Sequence, residues 1–200
     1  MTNPPQIILA SGSAIRANIL RGAGVPFDII KPNVDEAEIK TEAASAGITL
    51  EQMAMMLAEA KALDVAKTTD AIVIGADQIL EFEGRAFDKP QTMDEARARL
   101  MEMAGAAHTL INAVAIARNG DTIWRNLERP ELHLRDLTEV EIDAYLAAAG
   151  PEILTSVGAY QIEGVGARLF DKIDGDYFSV LGLCLFPVLD CLRREGALAF

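Results

Sequence analysis

Short apolar segments alternate with longer helical patterns along this chain, and this alternation limits its fold more than any other feature. The first segment, Gln6 to Ala10, predicts a buried strand that passes through the small-residue turn Ser11–Ser13 into a helix ending near Gly22. A second, Ala71 to Ile74, is uninterrupted and half β-branched, as expected of a strand covered on both faces. The alternation predicts an α/β fold that contains parallel strands.

Two glycine-containing turns add antiparallel strands. Glu83-Gly84 joins Gln78–Phe82 to Arg85–Phe87, and Asn119-Gly120 joins Leu110–Arg118 to Thr122–Leu127. The sheet is therefore predicted to be mixed and twisted, with helices on its flanks, inside a single domain over residues 1–200.

Three helix starts carry the capping-box pattern, in which Ser or Thr is followed three residues later by Glu or Gln. They are Thr49 with Gln52, Thr92 with Glu95, and Thr138 with Glu141. A last strand is expected within Ala159 to Asp171, and a final helix from about Cys184 to Arg194.

Charge and cysteine content restrict the partners and the compartment. The 18 Lys and Arg against 30 Asp and Glu give a net charge of -12, which opposes binding to nucleic acid. Cys184 and Cys191 have neither metal-site spacing nor the density of a secreted disulfide framework, which favours a reducing cytoplasm. The segment Met1 to Ala10 lacks a secretory signal pattern, and no run reaches membrane-spanning length, so an unprocessed protein with no membrane partner is expected.

The turn after the first strand could bind a phosphate. Ser11, Gly12 and Ser13 place hydroxyls and a permissive glycine where a strand becomes a helix, and Arg16 could bind the same anion bidentately. Taken alone, these residues favour the alternative of an ordinary Ser N-cap with a solvated arginine.

Three acidic residues could bind a metal ion or activate a water molecule. Asp35 and Glu36 follow a strand expected over Phe27 to Lys31, and Asp77 is predicted at the carboxyl end of the strand that contains Ile74. The alternatives are a solvated acidic turn and an Asx turn.

Two lysines and one glutamate complete the candidates. Lys61 shares an apolar helix face with Leu57, Ala58 and Val65, so it either meets an anionic partner or extends from the edge of that face to solvent. Lys89 precedes Pro90 in a stiffened loop, and strand alternation would place Glu163 on one face with Gln161.

In this order and spacing, the pieces resemble the Maf family of nucleotide pyrophosphatases over nearly the whole chain. The stretches that carry the resemblance are Ile8–Ser13 with Arg16 and Leu20, Val34–Glu36, Leu57–Ala62, Gly75–Asp77, Lys89-Pro90, Gly158–Tyr160, and Gly175–Tyr177 with Val180 and Gly182-Leu183. The resemblance implies a mixed α/β sheet with two lobes around a deep cleft, similar to enzymes that remove inosine triphosphate.

The resemblance also implies an activity and roles for residues. The enzyme would cut a nucleoside triphosphate to its monophosphate and pyrophosphate with Mg²⁺, Mn²⁺ or Co²⁺, in nucleotide house-cleaning or arrest of cell division, and a homodimer is expected. Asp77 would accept a proton or hold the metal, with Glu36 as the second carboxylate near the ion. Arg16, Lys61 and Lys89 would hold the triphosphate, assisted by Ser11 and Ser13.

Three positions bear on substrate choice. Gln78 and Glu163 resemble the branch that acts on 7-methyl-GTP rather than the branch that acts on dTTP and UTP, whereas Ile15 replaces the Trp common in the former. A carboxylate at Glu163 could pair with a guanine N–H edge or a cationic methylated base. Two other functions stay open from the sequence: a noncatalytic nucleotide-binding regulator of division, and a phosphatase that removes the terminal phosphate.

Overall fold

The computed structural model describes residues 4–200. The prediction that Met1 to Ala10 carries no secretory signal therefore falls partly outside the described residues. The described residues form eight strands and seven α-helices. The strands are β1 (Ile7–Ala10), β2 (Asp28–Ile29), β3 (Ile72–Phe82), β4 (Arg85–Phe87), β5 (Ala107–Arg118), β6 (Asp121–Glu128), β7 (Glu131–Leu134) and β8 (Phe170–Asp174). The helices are α1 (Ala14–Gly22), α2 (Glu36–Ser45), α3 (Leu50–Ala66), α4 (Met93–Met103), α5 (Glu139–Ala149), α6 (Tyr177–Val180) and α7 (Leu185–Arg194), and 3-10 turns span Pro151–Thr155 and Val165–Leu169.

The strands form a mixed sheet, as predicted. Its order is β2-β1-β3-β5-β7-β8, with β4 also paired to β3 and β6 also paired to β5. The pairs of β1 with β2 and with β3 are parallel, and Leu9 lies opposite Ile74. The pairs made by β4, β6, β7 and β8 are antiparallel, so both kinds of connection expected from the sequence occur.

The chain divides into two compact units. The first contains the described residues up to Gln78, residues 111–128 and residues 176–200, and the second contains residues 79–110 and 129–175. Each unit is therefore assembled from separate stretches of the chain.

An apolar core fills the first unit. Its buried residues come from β1, α1, the start of β3, the end of β5 and α7, among them Leu9, Leu20, Ile74, Val114 and Val188. Burial of large aliphatic side chains from both strands and helices is the main force that holds this unit together.

The second unit has a polar pair within a buried aromatic cluster. His108 on β5 is 2 % exposed, and its Nε2 lies 2.6 Å from the Tyr160 hydroxyl. Tyr160 packs edge-on against Phe170, with ring centroids 4.8 Å apart. Burial lowers the pKa of His108 to about 4 and raises the pKa of Tyr160, so both side chains are neutral near pH 7.

The position of Asp77 differs from its prediction at the end of a strand. Strand β3 continues through Asp77 to Phe82, because its second part pairs with β4. The parallel pairing with β1 nevertheless stops at Ala10 and Gly75, so Asp77 lies just beyond the parallel part of the strand.

The strand expected within Ala159 to Asp171 begins later than predicted. Ala159 adopts a φ of 58°, and residues up to Leu169 form turns and a 3-10 helix before β8 starts at Phe170. A Cβ at Gly166 would lie 2.5 Å from the Gln161 carbonyl oxygen, so this compact turn requires glycine at that position. Glu163 therefore lies exposed in a turn, and the predicted strand face shared with Gln161 is wrong.

Two of the three predicted capping boxes are complete. Thr49 with Gln52 and Thr138 with Glu141 each make both reciprocal bonds. Thr92 caps α4 by accepting from the Glu95 N–H, but the Glu95 carboxylate accepts from the N–H of Gln91 instead of closing the box. Among residues 4–200, none of the helices has the length and apolar character needed to cross a membrane.

Candidate functional site

The turn from β1 to α1 is organised by two serine hydroxyls. Ser13 is the N-cap of α1, and its Oγ accepts from the Arg16 N–H at 3.4 Å. Ser11 is buried, and its Oγ accepts from the Ser13 N–H at 3.1 Å. A Cβ at Gly12 would meet no atom within 4 Å, so the tip of the turn is open. The N-cap interpretation of Ser13 is thus correct, whereas the hydroxyl of Ser11 has its own role in shaping the turn.

Arg16 is held by the protein and is not a solvated surface arginine. Its Nε donates to the Gly182 carbonyl at 2.7 Å, and Nη1 donates to the Ala76 carbonyl at 2.9 Å and to Ser11 Oγ at 3.4 Å. Burial lowers the pKa of Arg16, and the negative charges of Asp77 and Glu36 oppose that shift. A fixed guanidinium at the start of a helix is well placed to bind an anion.

Lys61 forms an ion pair with each of two carboxylates. Its Nζ lies 2.7 Å from Asp77 Oδ1 and 3.0 Å from Glu36 Oε1. The side chains of Lys61 and Asp77 are 9 % and 11 % exposed, whereas that of Glu36 is 48 % exposed. The expectation that Lys61 has an anionic partner is confirmed, and the cluster combines a buried pair with one carboxylate open to solvent.

Close packing of α3 on β3 brings Lys61 to Asp77. A Cβ at Gly75 would lie 2.3 Å from the Ala58 carbonyl oxygen and 2.6 Å from the Ala62 nitrogen, so glycine is required for this approach. Gly75 and Asp77 are two residues apart on β3 and point to the same face, towards α3. Lys61 lies between Ala58 and Ala62 on the helix, and its ammonium meets the Asp77 carboxylate there.

Glu36 reaches the cluster from the first turn of α2. Asp35 is the N-cap of this helix, and its Oδ1 accepts from the Glu38 N–H at 3.0 Å. The preceding loop is attached to α3, because the Asn33 N–H donates to Asp64 Oδ2 at 2.8 Å. The two adjacent acids predicted as one metal-binding pair therefore separate: Asp35 caps the helix, and Glu36 alone joins Lys61.

Gln78 anchors the segment that precedes α7. Its Nε2 donates to the carbonyls of Ser179 at 3.0 Å and Val180 at 3.2 Å, and Asn112 Nδ2 donates to the same Ser179 carbonyl at 3.0 Å. This segment ends at Gly182, whose carbonyl accepts from Arg16. The amides of Gln78 and Asn112 thus help to place the acceptor that orients the arginine.

Asn112, Ser179 and the Gly182 carbonyl were not predicted as part of the site. Asn112 is fully buried and interrupts the apolar run of β5, which was a signal in the sequence that a polar partner was needed. The backbone carbonyls left no such signal.

The remaining predicted residues lie outside this cluster. Ile15 is half-buried and packs against the core of the first unit. Lys89 and Glu163 belong to the second unit and are exposed, Lys89 in the loop between β4 and α4 and Glu163 in the turn before β8. The first unit thus brings together Ser11, Arg16, Glu36, Lys61, Asp77 and Gln78.

The cysteines do not contribute to this chemistry. Cys184 and Cys191 are buried free thiols, and burial raises their pKa to about 12 and about 11. Such thiols stay protonated near neutral pH and are poor nucleophiles and poor metal ligands.

Comparison with known proteins gives extensive matches. The chain is 45% identical over 192 residues to a nucleoside triphosphate pyrophosphatase of Caulobacter vibrioides, covering 96% of each chain. It is 44% identical over 191 residues to a 7-methyl-GTP pyrophosphatase of Brucella suis, covering 95% of this chain and 96% of the relative. Among solved structures, a HAM1 protein from Coxiella burnetii matches at 16% identity and a TM-score of 0.42, covering 78% of this chain and 92% of that one, which is too slight to support an inference.

The family assignment rests on the sequence. The model of the family described as Maf-like protein matches residues 6–195, nearly the whole length of the chain. The cluster of Arg16, Lys61 and Asp77 lies entirely within the matched region. The chain therefore belongs to the Maf family.

Proposed function

We propose that the protein is a nucleoside triphosphate pyrophosphatase, which hydrolyses its substrate to the monophosphate and pyrophosphate. The observation that carries the proposal is the buried pair of Lys61 and Asp77, with Glu36 at its open side and the guanidinium of Arg16 nearby. Cations, oriented carboxylates and an open helix-start turn are what hydrolysis of a phosphoric anhydride needs. The names of the Caulobacter and Brucella relatives support the same activity.

The charges of the site suggest how the reaction proceeds. A triphosphate repels an anionic attacker, so Arg16 and Lys61, with Lys89 by family resemblance, bind and neutralise it, and the β1–α1 turn supplies Ser11, Ser13 and backbone N–H groups. Asp77 orients a water molecule and accepts its proton as the water oxygen bonds to the α-phosphorus. The bond between the α-phosphorus and the bridging oxygen breaks, and pyrophosphate leaves with that oxygen and the bonding electrons.

Glu36 and Asp77 are the residues that would hold a divalent cation. Both carboxylates contact the same ammonium, so both can reach a single cation, and an all-oxygen set of ligands suits Mg²⁺ or Mn²⁺, with Co²⁺ as a further candidate. The ion, when bound, would withdraw charge from the phosphate oxygens. The Lys61 ammonium holds the two carboxylates close together, which favours their binding of one cation.

The substrate preference is proposed to favour 7-methyl-GTP or a related nucleotide over dTTP and UTP. Gln78 and Glu163 support this preference by resemblance, and the Brucella relative bears the corresponding name. The exposed carboxylate of Glu163 is able to accept from a base N–H or to pair with a cationic base. Ile15 replaces the Trp common in that branch, and an aliphatic side chain cannot stack on a nucleotide base as an aromatic ring can.

The cellular setting is part of the same proposal. A protein with two buried free thiols and a net charge of -12 suits a reducing cytoplasm and a small-molecule substrate more than nucleic acid. House-cleaning of nucleotides, a link to arrest of cell division and a homodimer are proposed by analogy with the family.

The decisive experiment is a product-resolved assay of the purified protein with Mg²⁺, Mn²⁺ or Co²⁺. The panel contains dTTP, UTP, CTP, GTP and 7-methyl-GTP, with Asp77→Asn as the inactive control and Asp70→Asn, an exposed acid of the same unit, as the matched control. Monophosphate plus pyrophosphate, lost in Asp77→Asn and kept in Asp70→Asn, is the expected result. Orthophosphate as the product would indicate a terminal phosphatase instead, and binding without turnover would indicate a noncatalytic regulator.

A further inference from the structure

A second group of ligating side chains lies on the paired strands β7 and β8 and includes none of the residues assigned to the proposed active site. Glu131 is opposite Asp174 in the antiparallel register, and His133 is opposite Lys172. Glu131 and His133 are two residues apart and therefore share a face of β7. The four side chains meet on one face of this strand pair, inside the second unit.

The imidazole of His133 faces both carboxylates. Its Nε2 lies 2.9 Å from Glu131 Oε1 and 3.5 Å from Asp174 Oδ2, and the three ligand atoms all lie within 4.8 Å of one another. Despite these distances, Nε2 is closed to solvent and makes no aligned hydrogen bond with any described residue. A nitrogen lone pair with two converging carboxylate oxygens is a set of metal ligands.

The charges at this position favour a bound cation. Like charges directly opposite each other on neighbouring strands destabilise a sheet, and Glu131 is opposite Asp174. Lys172 offsets part of this repulsion, because its Nζ lies 2.5 Å from Asp174 Oδ2. The Lys172 side chain is 61% exposed, so it can move away and release that oxygen.

We propose that Glu131, His133 and Asp174 form a binding site for a divalent transition metal of the Zn²⁺, Ni²⁺ or Cu²⁺ class. One nitrogen and two oxygen ligands select these ions over Mg²⁺, which prefers oxygen alone. Three protein ligands leave coordination positions for water or for a ligand from a second molecule. The site uses none of the residues assigned to nucleotide hydrolysis, so it stands whether or not that function is correct.

Binding would stabilise the second unit. The ion would connect β7 to β8, and a ligand that binds the folded protein alone raises its stability by mass action.

The test is isothermal titration of the untagged protein with Zn²⁺ and Ni²⁺ in excess Mg²⁺, which occupies sites made of oxygen alone. His133→Gln keeps a polar side chain of similar length but removes the imidazole. It should weaken binding by more than about tenfold, since loss of a residue that only supports a metal ligand already costs about 10- to 100-fold. Asp174→Asn should weaken binding similarly, and Lys172→Met should strengthen it. Asp171→Asn, an exposed acid at the irregularity of β8 that is not a member of the ligand group, is the matched control and should bind as the wild type does.

A second readout separates metal binding from a general effect on folding. Zn²⁺ should raise the melting temperature of the wild type and of Asp171→Asn, but not that of His133→Gln, while all three melt alike in chelator. Equal affinity of the wild type and His133→Gln would overturn the proposal, as would an equal loss in Asp171→Asn.

Discussion

Lys61 Nζ and Asp77 Oδ1 lie 2.7 Å apart in a pair that is almost completely buried. Removing two charges from water is costly, and a hydrophobic contact at the same place would stabilise the folded protein at least as well as this ion pair does. The second carboxylate, Glu36, remains half open to solvent. A buried ion pair beside a solvent-accessible carboxylate is more typical of a reactive site than of a contact that stabilises the fold.

Asp77→Asn should lower turnover by about 10²–10⁴-fold, the range expected for loss of a general base. The fold should persist, because the amide has nearly the same shape and Lys61 keeps Glu36 as a partner. Steady-state kinetics, together with circular dichroism, would check this result. Wild-type rates in the variant would show that Asp77 does not have the proposed role.

Arg16→Lys should reduce kcat/KM by about 10- to 100-fold, because hydrogen bonds to a charged group contribute about 1.5–3 kcal/mol. One ammonium cannot donate along the fixed directions that the guanidinium uses to reach Gly182 and Ala76. Arg21→Lys is the matched control, since Arg21 lies on the same helix, is exposed and donates to Asn18. A similar loss in both variants would argue against a specific role for Arg16.

Gly75→Ala should destabilise the protein by about 1–3 kcal/mol or more, as overpacking does in a tight interior. The added Cβ would overlap backbone atoms of α3, which cannot move as a flexible side chain can. The displaced helix would also carry Lys61 away from Asp77 and reduce activity. Gly22→Ala is the control, because its Cβ would meet no atom within 4 Å; urea denaturation of both variants measures the difference.

Glu163→Gln should shift the relative rates towards dTTP and UTP and away from 7-methyl-GTP. The amide cannot attract a cationic base, although it can still accept one hydrogen bond. Glu152→Gln, another exposed acid of the second unit, should leave the relative rates unchanged. Unchanged ratios of kcat/KM in Glu163→Gln would show that this position does not select the base.

The unfolding free energy should depend on pH through His108. The pKa of His108 is lowered to about 4 in the folded protein, so the unfolded chain binds the extra proton first as the pH falls. The contribution of neutral His108 to the free energy of unfolding is therefore fully present above a pH of about 6.5. It is lost as the pH falls towards 4, by up to about 3 kcal/mol. His108→Gln should show a shallower decline in denaturation experiments between pH 7 and 4, and parallel curves for the two proteins would contradict the assignment.

The sequence predicts the strands and helices best where local patterns decide them. The buried strand at Ala71 to Ile74 and the two hairpin turns are confirmed, because β-branched runs and glycine turns act over a few residues. Helix α2 and strand β7 were not predicted. The acidic start of α2 was predicted to be a pair of metal ligands or a solvated turn, and the four residues of β7 acquire their structure from pairing with β5 and β8.

The site was predicted where side chains carry the chemistry. Lys61 and its anionic partner were predicted from a charged residue on an apolar helix face, and Asp77 was predicted from its position just after the apolar run that ends at Ile74. The two carbonyl acceptors that fix Arg16 could not be predicted from residue type, and one of them is 166 positions away in the chain. Such contacts depend on tertiary packing, and because every residue has a backbone carbonyl, residue type does not indicate which one will accept.

The bond between Arg16 and Gly182 has a consequence for biosynthesis on the ribosome. Arg16 is synthesised 166 positions before its carbonyl partner, which belongs to the last stretch of the first unit, residues 176–200. The Gly182 carbonyl cannot accept from the guanidinium until that stretch has left the exit tunnel. A ribosome-bound intermediate that lacks residues 176–200 would thus hold an incomplete anion site.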